Sequence, residues 1–451
     1  MKKFFKTLFA FTLCFCTLLS FTACKPNLST TTADTQNVTS NGGISVRKDG
    51  YLYFVNGTKA VSDADIGGNV VNGGIYRVKL DDNGEILYDT TTDDDGNEIK
   101  TIHEIQPVVN KLVGFKYGSL NIFGDFLYYT TPNTDVNKSG DMLTGKVEFR
   151  RYDLVNKVDQ MLYVTKASDD VLSFNFVKQD DKLYLCVFEK NSATLTSLLI
   201  GDKVKTAFVK KEVKSAIFSE EEGTNADKYM YFTLSYDKKS ELKRGVRVYK
   251  VLPDGTGEDL LSEGKDVTLL TVKAGRLIYA YDSAVYSANI TAGDDSLVFG
   301  ENDIVCSKNY ENIIFLEVDE KLSVLVYEDE VLRLITWDND KLTYNNLHEF
   351  DSEDELAFIG TDGDFVVYTI AKKVYKSRFK NLTEENQDEK MPIQLSLTEV
   401  IDADELMAPE IVNGYLYGFV TNETTSKTYL YRISLDKPDE VKAAEFIGIA
   451  E

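Results

Sequence analysis

One short pattern, a turn followed by an aromatic-rich strand, recurs eight times along this chain and constrains its fold more than any other feature. The eight aromatic segments begin at Tyr51, Phe126, Leu183, Tyr229, Leu277, Leu322, Phe365 and Tyr415. A structural unit that returns at a roughly fixed period builds a circular or stacked array, because each copy contacts mainly its neighbours. The sequence therefore predicts a repeat protein.

The interval between copies predicts the size of each unit. The last six segments follow one another at 43 to 50 residues, whereas the first two units are longer. Turns such as Asp282-Ser283 and Asp362-Gly363 divide the units into short strands, with a fourth strand of unit five expected at 296–299. Four strands in about 45 residues make a propeller blade. We predict an all-β fold, a β-propeller of eight four-stranded blades. The alternative is a seven-bladed ring that mixes both termini in one blade.

The N-terminal residues predict export and anchoring. Three lysines precede an apolar run from 8 to 21, which has the form of a secretory signal and is too short to span a membrane. The run ends in Phe21-Thr22-Ala23-Cys24, which resembles the lipobox of bacterial lipoproteins. The resemblance implies that Cys24 is lipidated and anchors the protein to the cell membrane on its extracytoplasmic side. An ordinary cleaved signal with a chance cysteine is the alternative.

The segment after Cys24 separates the anchor from the repeats. Residues 25–43 are rich in Thr, Ser, Asn and Gly and have almost no apolar content. They cannot bury a core and are expected to form a flexible tether. The predicted organisation is a lipoprotein signal peptide at 1–23, lipidated Cys24 and its tether at 24–43, and a propeller domain at 44–451.

Charge and cysteine content narrow the classes of partner. The chain has 73 acidic and 50 basic residues, a formal charge of −23, which disfavours nucleic acid and anionic lipid because both require clustered Lys and Arg. Cys186 and Cys306 remain after the signal and Cys24, in different units 120 positions apart. They are expected to be free buried thiols. We expect a monomer.

The longer first and second units contain the expected insertions. The segments 86–91 and 98–104 flank an Asp-Gly sequence and predict an additional hairpin. The polar segments 56–73 and 132–145 predict long loops between second and third strands. Loops on a rigid scaffold commonly carry binding, so these two loops are the predicted ligand site.

The third strands share a Tyr-Arg/Lys pair, which occurs at Tyr76-Arg77, Tyr249-Lys250, Tyr375-Lys376 and Tyr431-Arg432. In the first two cases an Asp-Gly turn follows. This combination resembles bacterial surface-lipoprotein propellers akin to the low-density-lipoprotein-receptor type, domains of unknown function. The resemblance implies a propeller and a surface location but no active site. The receptor type usually has six blades, whereas this sequence has eight units. The four cations are expected to face solvent or to pair with acids on adjoining strands.

The sequence offers little support for catalysis. His103-Glu104 resembles the start of a zinc-protease helix, but Pro107 occupies the place of the second ligand. His103 and His348 are therefore expected to be ordinary strand residues. Acidic pairs are numerous, but a glycosidase needs a defined separation between two carboxylates, which a sequence does not show. No catalytic, cofactor-binding or metal-binding residues are predicted.

Two acidic clusters and the single tryptophan have simple structural interpretations. The stretch from Asp93 to Glu98 lacks the alternating ligand spacing of a calcium loop, so a solvated hairpin tip is favoured. Asp338-Asn339-Asp340 is expected to be a turn rather than a metal site. Trp337 is expected to pack between blades rather than to stack on a sugar.

These observations favour a lipid-anchored extracytoplasmic propeller that binds a protein or a glycan, or acts as a scaffold, at the cell surface. The alternative is an enzyme on the same scaffold, a carboxylate-based hydrolase or lyase acting on envelope glycans. A purely structural envelope component is the third possibility.

Overall fold

A computed structural model of the 451-residue chain defines the fold. It describes residues 41–58, 70–93, 95–113, 120–133, 135, 137–139, 144–167, 172–218, 228–238, 243–290, 296–300, 303–307, 312–338, 341–350, 355–370, 373–395, 406–422, 427–435 and 445–448. The predicted signal peptide, Cys24 and the tether as far as residue 40 lie outside the described residues.

The chain forms eight four-stranded antiparallel sheets arranged as the blades of a propeller. Strand β1 (Asn41–Gly43) precedes the blades. Blade 1 contains β2 (Ser45–Lys48), β3 (Tyr51–Val55), β4 (Ile75–Lys79) and β7 (Gln106–Val109), with a hairpin of β5 (Tyr88–Thr92) and β6 (Glu98–Ile102). Blade 2 contains β8 (Leu120–Phe123), β9 (Phe126–Pro132), β10 (Val147–Asp153) and β11 (Val158–Val164).

Blades 3 to 5 follow the same order. Blade 3 contains β12 (Leu172–Gln179), β13 (Lys182–Glu189), β14 (Thr194–Ile200) and β15 (Lys205–Lys211). Blade 4 contains β16 (Val213–Phe218), β17 (Met230–Lys238), β18 (Lys243–Val251) and β19 (Asp259–Lys265). Blade 5 contains β20 (Thr268–Lys273), β21 (Arg276–Tyr281), β22 (Ala284–Ala288) and β23 (Ile304–Cys306).

Blades 6 to 8 complete the ring. Blade 6 contains β24 (Ile313–Val318), β25 (Lys321–Glu328), β26 (Val331–Asp338) and β27 (Lys341–Glu349). Blade 7 contains β28 (Leu356–Asp362), β29 (Phe365–Ile370), β30 (Lys373–Arg378), a 3-10 helix (Glu384–Lys390) and β31 (Ile393–Gln394). Blade 8 contains β32 (Met407–Val412), β33 (Tyr415–Asn422), β34 (Lys427–Ser434) and β35 (Glu445–Ile447).

The order of the strands confirms the eight-bladed prediction and rules out the seven-bladed alternative. Each blade uses four strands from one continuous stretch of chain, and among the described strands no blade combines the N-terminal and C-terminal segments. The first strands of neighbouring blades contact one another, as β2 and β8 do, so the first strands surround the centre of the ring. The ring closes by packing of blade 8 against blade 1.

Strand β1 adds a fifth strand to blade 2 on its central side. It pairs antiparallel with β8, with Gly43 opposite Leu120 and Asn41 opposite Asn121. Residues 41–43, which the sequence assigns to the end of the tether, therefore form part of the sheet.

The recurring aromatic strands supply the core between blades. Tyr128, Tyr231, Tyr279, Tyr368 and Tyr417 all lie in second strands, and each is less than 2 % exposed. Aromatic and β-branched side chains suit a pleated surface that packs on both sides, and burying each large side chain contributes roughly 2 kcal/mol. The repeated motif is therefore explained by blade packing.

One strand prediction is wrong. The fourth strand of blade 5 is Ile304–Cys306 and not 296–299. The backbone N–H of Leu297 donates to the carbonyl of Leu261 at 3.2 Å, and the ring of Phe299 lies 4.9 Å from that of Tyr281. The apolar residues of this segment pack against blades 4 and 5, but the segment does not pair with a sheet. Packing of this kind produces the same apolar pattern in the sequence as a strand does.

Cys186 and Cys306 are buried thiols outside any disulfide, as predicted. Burial raises the pKa of the Cys186 thiol to about 12. A thiol of this kind is a packing residue rather than a nucleophile.

Candidate functional site

The two predicted binding loops begin and end on the same face of the ring. Successive strands in each blade are antiparallel, so connections between second and third strands emerge on one face, which we call the loop face. Connections between first and second strands, and between third and fourth strands, emerge on the opposite face, the turn face. The segments 56–73 and 132–145 connect β3 to β4 and β9 to β10, in adjacent blades. Residues 59–69, 134, 136 and 140–143 lie outside the described residues.

Asn56 fixes the base of the blade 1 loop. Its side chain is 3 % exposed, and its Nδ2 donates to the carbonyl of Val71 at 3.0 Å. Its backbone N–H donates to the carbonyl of Gly74 at 2.8 Å. The next residue, Gly57, has a φ of 71°, and a Cβ placed there would lie 2.0 Å from the carbonyl oxygen of Thr428 in blade 8. Only glycine fits this position.

The connection from blade 1 to blade 2 joins the two loop bases. The Oγ1 of Thr131, at the end of β9, donates to the carbonyl of Leu112 at 2.6 Å. The backbone N–H of Val113 donates to the carbonyl of Gly73 at 2.8 Å. Both loops therefore start from a rigid, hydrogen-bonded platform.

Two carboxylates of blade 2 lie close together but share one cation. Glu148 is 6 % exposed and accepts from Nη1 of Arg150 at 2.6 Å. Asp159 lies 2.9 Å from Nη2 of Arg150 and accepts from the hydroxyl of Tyr129 at 2.8 Å. Burial, followed by the charge of Asp159, raises the pKa of Tyr129 well above its ordinary value. Because both carboxylates have a cationic partner, the network suits stabilisation of the blade.

A second buried acid, Glu189, forms hydrogen bonds with the loop-face connection between blades 2 and 3. Glu189 is fully buried and accepts from the backbone N–H of Lys166 at 2.6 Å and from the hydroxyl of Tyr163. Burial and the hydrogen bond to Glu189 raise the pKa of Tyr163. Such donors are what a buried carboxylate requires. Neither Glu189 nor the blade 2 network has a local sequence signal, because their partners lie on other strands.

The cations of the third-strand Tyr-Arg/Lys pairs do not face solvent as a group, so that part of the prediction is wrong. Lys250, Lys376 and Arg432 are 3 %, 6 % and 2 % exposed. Each cation lies over the aromatic residue at or just before the start of its second strand: Arg77 over Tyr51 at 4.3 Å, Lys250 over Tyr229 at 4.9 Å, Lys376 over Phe365 at 4.4 Å and Arg432 over Tyr415 at 4.4 Å. The predicted ion pair is present for Lys250 and Asp259, at 3.7 Å. An aromatic face offsets part of the cost of burying a cation.

Cations at this third-strand position also join neighbouring blades on the turn face. Arg151 occupies the position in blade 2, where an arginine instead of a tyrosine precedes it. It lies over Phe126 at 4.7 Å, and its Nη2 donates to the carbonyl of Gly201 in blade 3 at 2.8 Å. In the same way, Nζ of Lys376 in blade 7 donates to the carbonyl of Leu435 in blade 8 at 2.5 Å. In blades 2 and 7 the cation at this position therefore forms a contact between blades.

The predicted hairpin of blade 1 is present as β5 and β6, on the turn face. Asp93 accepts from the backbone N–H groups of Asp95 and Asn97 at 3.0 and 2.7 Å. The side-chain Nδ2 of Asn97 also donates to Asp93, at 3.0 Å. This bond and the backbone bond from Asn97 lower the pKa of Asp93, so its carboxylate stabilises the turn. His103 follows β6, and its Nδ1 lies 2.9 Å from the carboxylate of Asp89 across the hairpin.

The tryptophan, the second histidine and the other acidic cluster lie in blade 6. Trp337 packs between blades as predicted, since the guanidinium of Arg276 in blade 5 lies 4.4 Å from its ring. His348 lies in the fourth strand, with its ring 4.6 Å from that of Phe350. Asp338 pairs with Lys321 at 2.8 Å at the end of the third strand, and Asn339 and Asp340 lie outside the described residues.

The described ranges contain neither a metal cluster nor a membrane-spanning helix. Within them, no group of three or more His, Cys, Asp or Glu side chains is placed to hold a metal ion. In the same part of the chain, no helix has the length and apolar character that crossing a bilayer requires.

No protein-family model and no curated protein matches the chain. Among solved structures, it is similar to a dihydro-heme d1 dehydrogenase, with 12% identity over 87% of this chain and 75% of that chain and a TM-score of 0.48. It is also similar to a prolyl endopeptidase, with 11% identity over 89% of this chain and a TM-score of 0.44.

A third similar structure is the propeller domain of the Trilobed protease from Pyrococcus furiosus, with 12% identity over 79% of this chain and 98% of that domain and a TM-score of 0.38. This chain spans 55% of the length of the prolyl endopeptidase. Similarity at these levels does not extend to activity or ligand.

Proposed function

We propose that this protein is a lipid-anchored extracytoplasmic propeller that binds a protein or glycan, or acts as a scaffold, at the cell surface. The observation that carries the proposal is the position of the two longest second-to-third connections. They leave the loop face from adjacent blades, and Asn56 and Thr131 fix their bases. A rigid base with long loops is the common arrangement of binding surfaces on repeat scaffolds.

The carboxylates of blade 2 support binding over catalysis. A carboxylate-based hydrolase or lyase needs one acid that gives a proton and one that is free to act as a base or nucleophile. Glu148 and Asp159 instead both contact Arg150.

The test compares loop removal on the two faces. One variant replaces residues 59–69 and 134–143 with short Gly-Ser segments, and the matched control replaces the turn-face hairpin 88–102 in the same way. Both are used to capture proteins and glycans from envelope extracts of the producing cells. The proposal expects capture to be lost in the first variant and kept in the control. Capture that survives loop removal contradicts it. Release of new glycan ends by the intact protein would favour the hydrolase or lyase.

The anchor is tested separately. Cys24→Ala should move the protein from the membrane fraction to the medium, because the acyl chains supply the membrane affinity. Unchanged membrane retention would show that Cys24 is not the anchor.

A further inference from the structure

Two guanidinium groups meet over one aromatic ring where blade 8 packs against blade 1. Arg47 lies in the first strand of blade 1, and Arg432 lies in the third strand of blade 8. Their guanidinium carbons are 5.6 and 4.4 Å from the ring centroid of Tyr415. We call these three residues the closure cluster. It lies towards the turn face, because Tyr415 begins the second strand of its blade.

The two guanidinium groups of the closure cluster differ in their contacts with acids. Glu85 accepts from the hydroxyl of Tyr415 and from Nη2 of Arg432 at 3.4 Å. Within the described ranges, no carboxylate pairs with Arg47. Arg432 thus has an acidic partner, whose side chain is 48% exposed, whereas the charge of Arg47 has none among the described residues, in a chain whose formal charge is −23.

Hydrogen-bond donors remain unused beside this ring. The Nε and Nη2 atoms of Arg47 are shielded from solvent and have no hydrogen-bond partner among the described residues. The same holds for the hydroxyl of Tyr417, whose ring lies 6.3 Å from that of Tyr415. Shielding donors without an acceptor is unfavourable, so these groups point to a missing acceptor.

The blade architecture does not itself require an arginine here. Arg47 is paired with Leu52, the second residue of its second strand. The matching position is apolar in blade 2 (Ile122) but charged in blade 3 (Lys178) and in blade 6 (Glu317). The residue type at this position therefore varies around the ring, and the arginine of blade 1 is not dictated by its place in the sheet.

We propose that the closure cluster binds an oxyanion, a phosphate or carboxylate group of a ligand, with Arg47 as the principal donor and Arg432 supplying the second positive charge. Guanidinium groups bind both anions through paired N–H donors. The site lies away from the loop face, so it is independent of the function proposed above.

The test uses the full chain purified in detergent. Inorganic phosphate and sodium acetate are titrated separately at constant ionic strength, with sodium chloride as the balancing salt, and binding is followed by calorimetry and thermal shift. We expect one of the two anions to bind and raise the Tm by at least about 2 °C near saturation. Phosphate alone would indicate a phosphate-bearing ligand, and acetate alone a carboxylate.

Two variants make the result specific. Arg47→Gln should bind the anion at least about tenfold more weakly, because it loses the charge and the paired donors. Arg247→Gln is the control, since Arg247 is exposed and pairs with Glu263 at 3.0 Å on the outside of blade 4, and it should bind like the parent chain. If Arg47→Gln does not fold, Arg47→Lys, which keeps the charge and loses the planar fork, should also weaken binding. Absence of binding to the parent chain, or equal binding by parent and Arg47 variants, overturns the proposal.

Discussion

The carboxylate of Glu410, in the first strand of the last blade, accepts hydrogen bonds from the backbone N–H groups of Ile44 at 2.7 Å and Ser45 at 3.0 Å. Ile44 and Glu410 are 366 residues apart in the chain. Many ring-shaped folds must solve the problem of joining their first and last units. Here an acidic side chain from the last blade holds the backbone that enters the first.

Gly43 lies directly against this carboxylate, and its replacement tests the closure. A Cβ built on Gly43 would lie 1.8 Å from Oε1 of Glu410, so Gly43→Ala must displace the carboxylate from two shielded N–H groups. Losing such bonds costs about 1–3 kcal/mol, and for a domain of about 400 residues we expect the Tm to fall by roughly 1–4 °C. Gly201→Ala is the control, because its Cβ would have its nearest contact at an ordinary 3.7 Å. Equal Tm values for the two variants would contradict this account of the closure.

The contact between blades made by Arg151 predicts a second stability difference. Arg151→Met keeps an apolar stem over Phe126 but loses the charge-assisted bond to the carbonyl of Gly201, which is worth about 1.5–3 kcal/mol. We expect a Tm several degrees below that of the parent. Arg247→Met, which breaks an exposed pair whose side chains are both 41% exposed, should change the Tm by less than about 1 °C. A small effect at Arg151 would show that the cation over the ring is dispensable.

Asp254 links blades 3 and 4 and predicts a pH dependence. Burial raises its pKa, but the hydrogen bonds from Thr256 and Gln179 outweigh burial and hold the pKa below its ordinary value. The carboxylate accepts from Nε2 of Gln179 at 2.9 Å. A lowered pKa in the folded state means that this stabilisation is complete above the unfolded pKa of about 4 and is lost as the pH falls through the folded value.

The measurement is the Tm difference between the parent chain and Asp254→Asn from pH 7 to pH 2.5. The parent should be more stable at pH 7, and the difference should shrink below about pH 4. Asp202→Asn, at an exposed position, should show a smaller difference throughout. A difference for Asp254→Asn that stays constant across this range would mean that the carboxylate charge plays no part.

The burial of both thiols predicts that they react slowly with disulfide reagents. Because burial raises the pKa of Cys186 to about 12 and Cys306 is also fully buried, neither should react with a disulfide reagent at pH 8 while the protein is folded. The chain from residue 41 onward should show almost no fast-reacting thiol, and two thiols after denaturation. Rapid reaction of either cysteine in the folded protein would place it in an accessible environment.

The sequence predicts the fold well because the repeat is local. Each blade is one continuous segment, and its strand alternation and turns, such as Asp362-Gly363, are visible within about 45 residues. The contacts between blades are not visible in this way. Three features depend on residues that are distant in the sequence: the burial of Lys250 and Arg432, the hydrogen bonds of Glu189, and the pairing of β1 with β8. No local sequence pattern predicts them. The segment 296–299 shows how a local pattern can mislead. Its apolar residues fit a segment that packs against a sheet as well as a strand that pairs within one.

The position of β1 also determines which contacts resist a pulling force applied at the N-terminal side of the ring. Tension reaching residue 41 from the N-terminal side acts first along β1, whose pairing with β8 resists sliding, and on the Glu410 contact that follows it. Blade 1 is pulled only after these bonds yield. Residue 41 therefore lies near the centre of the ring and not at its outer edge. A pulling force applied at this residue acts on blades 2 and 8 before any blade separates from the ring.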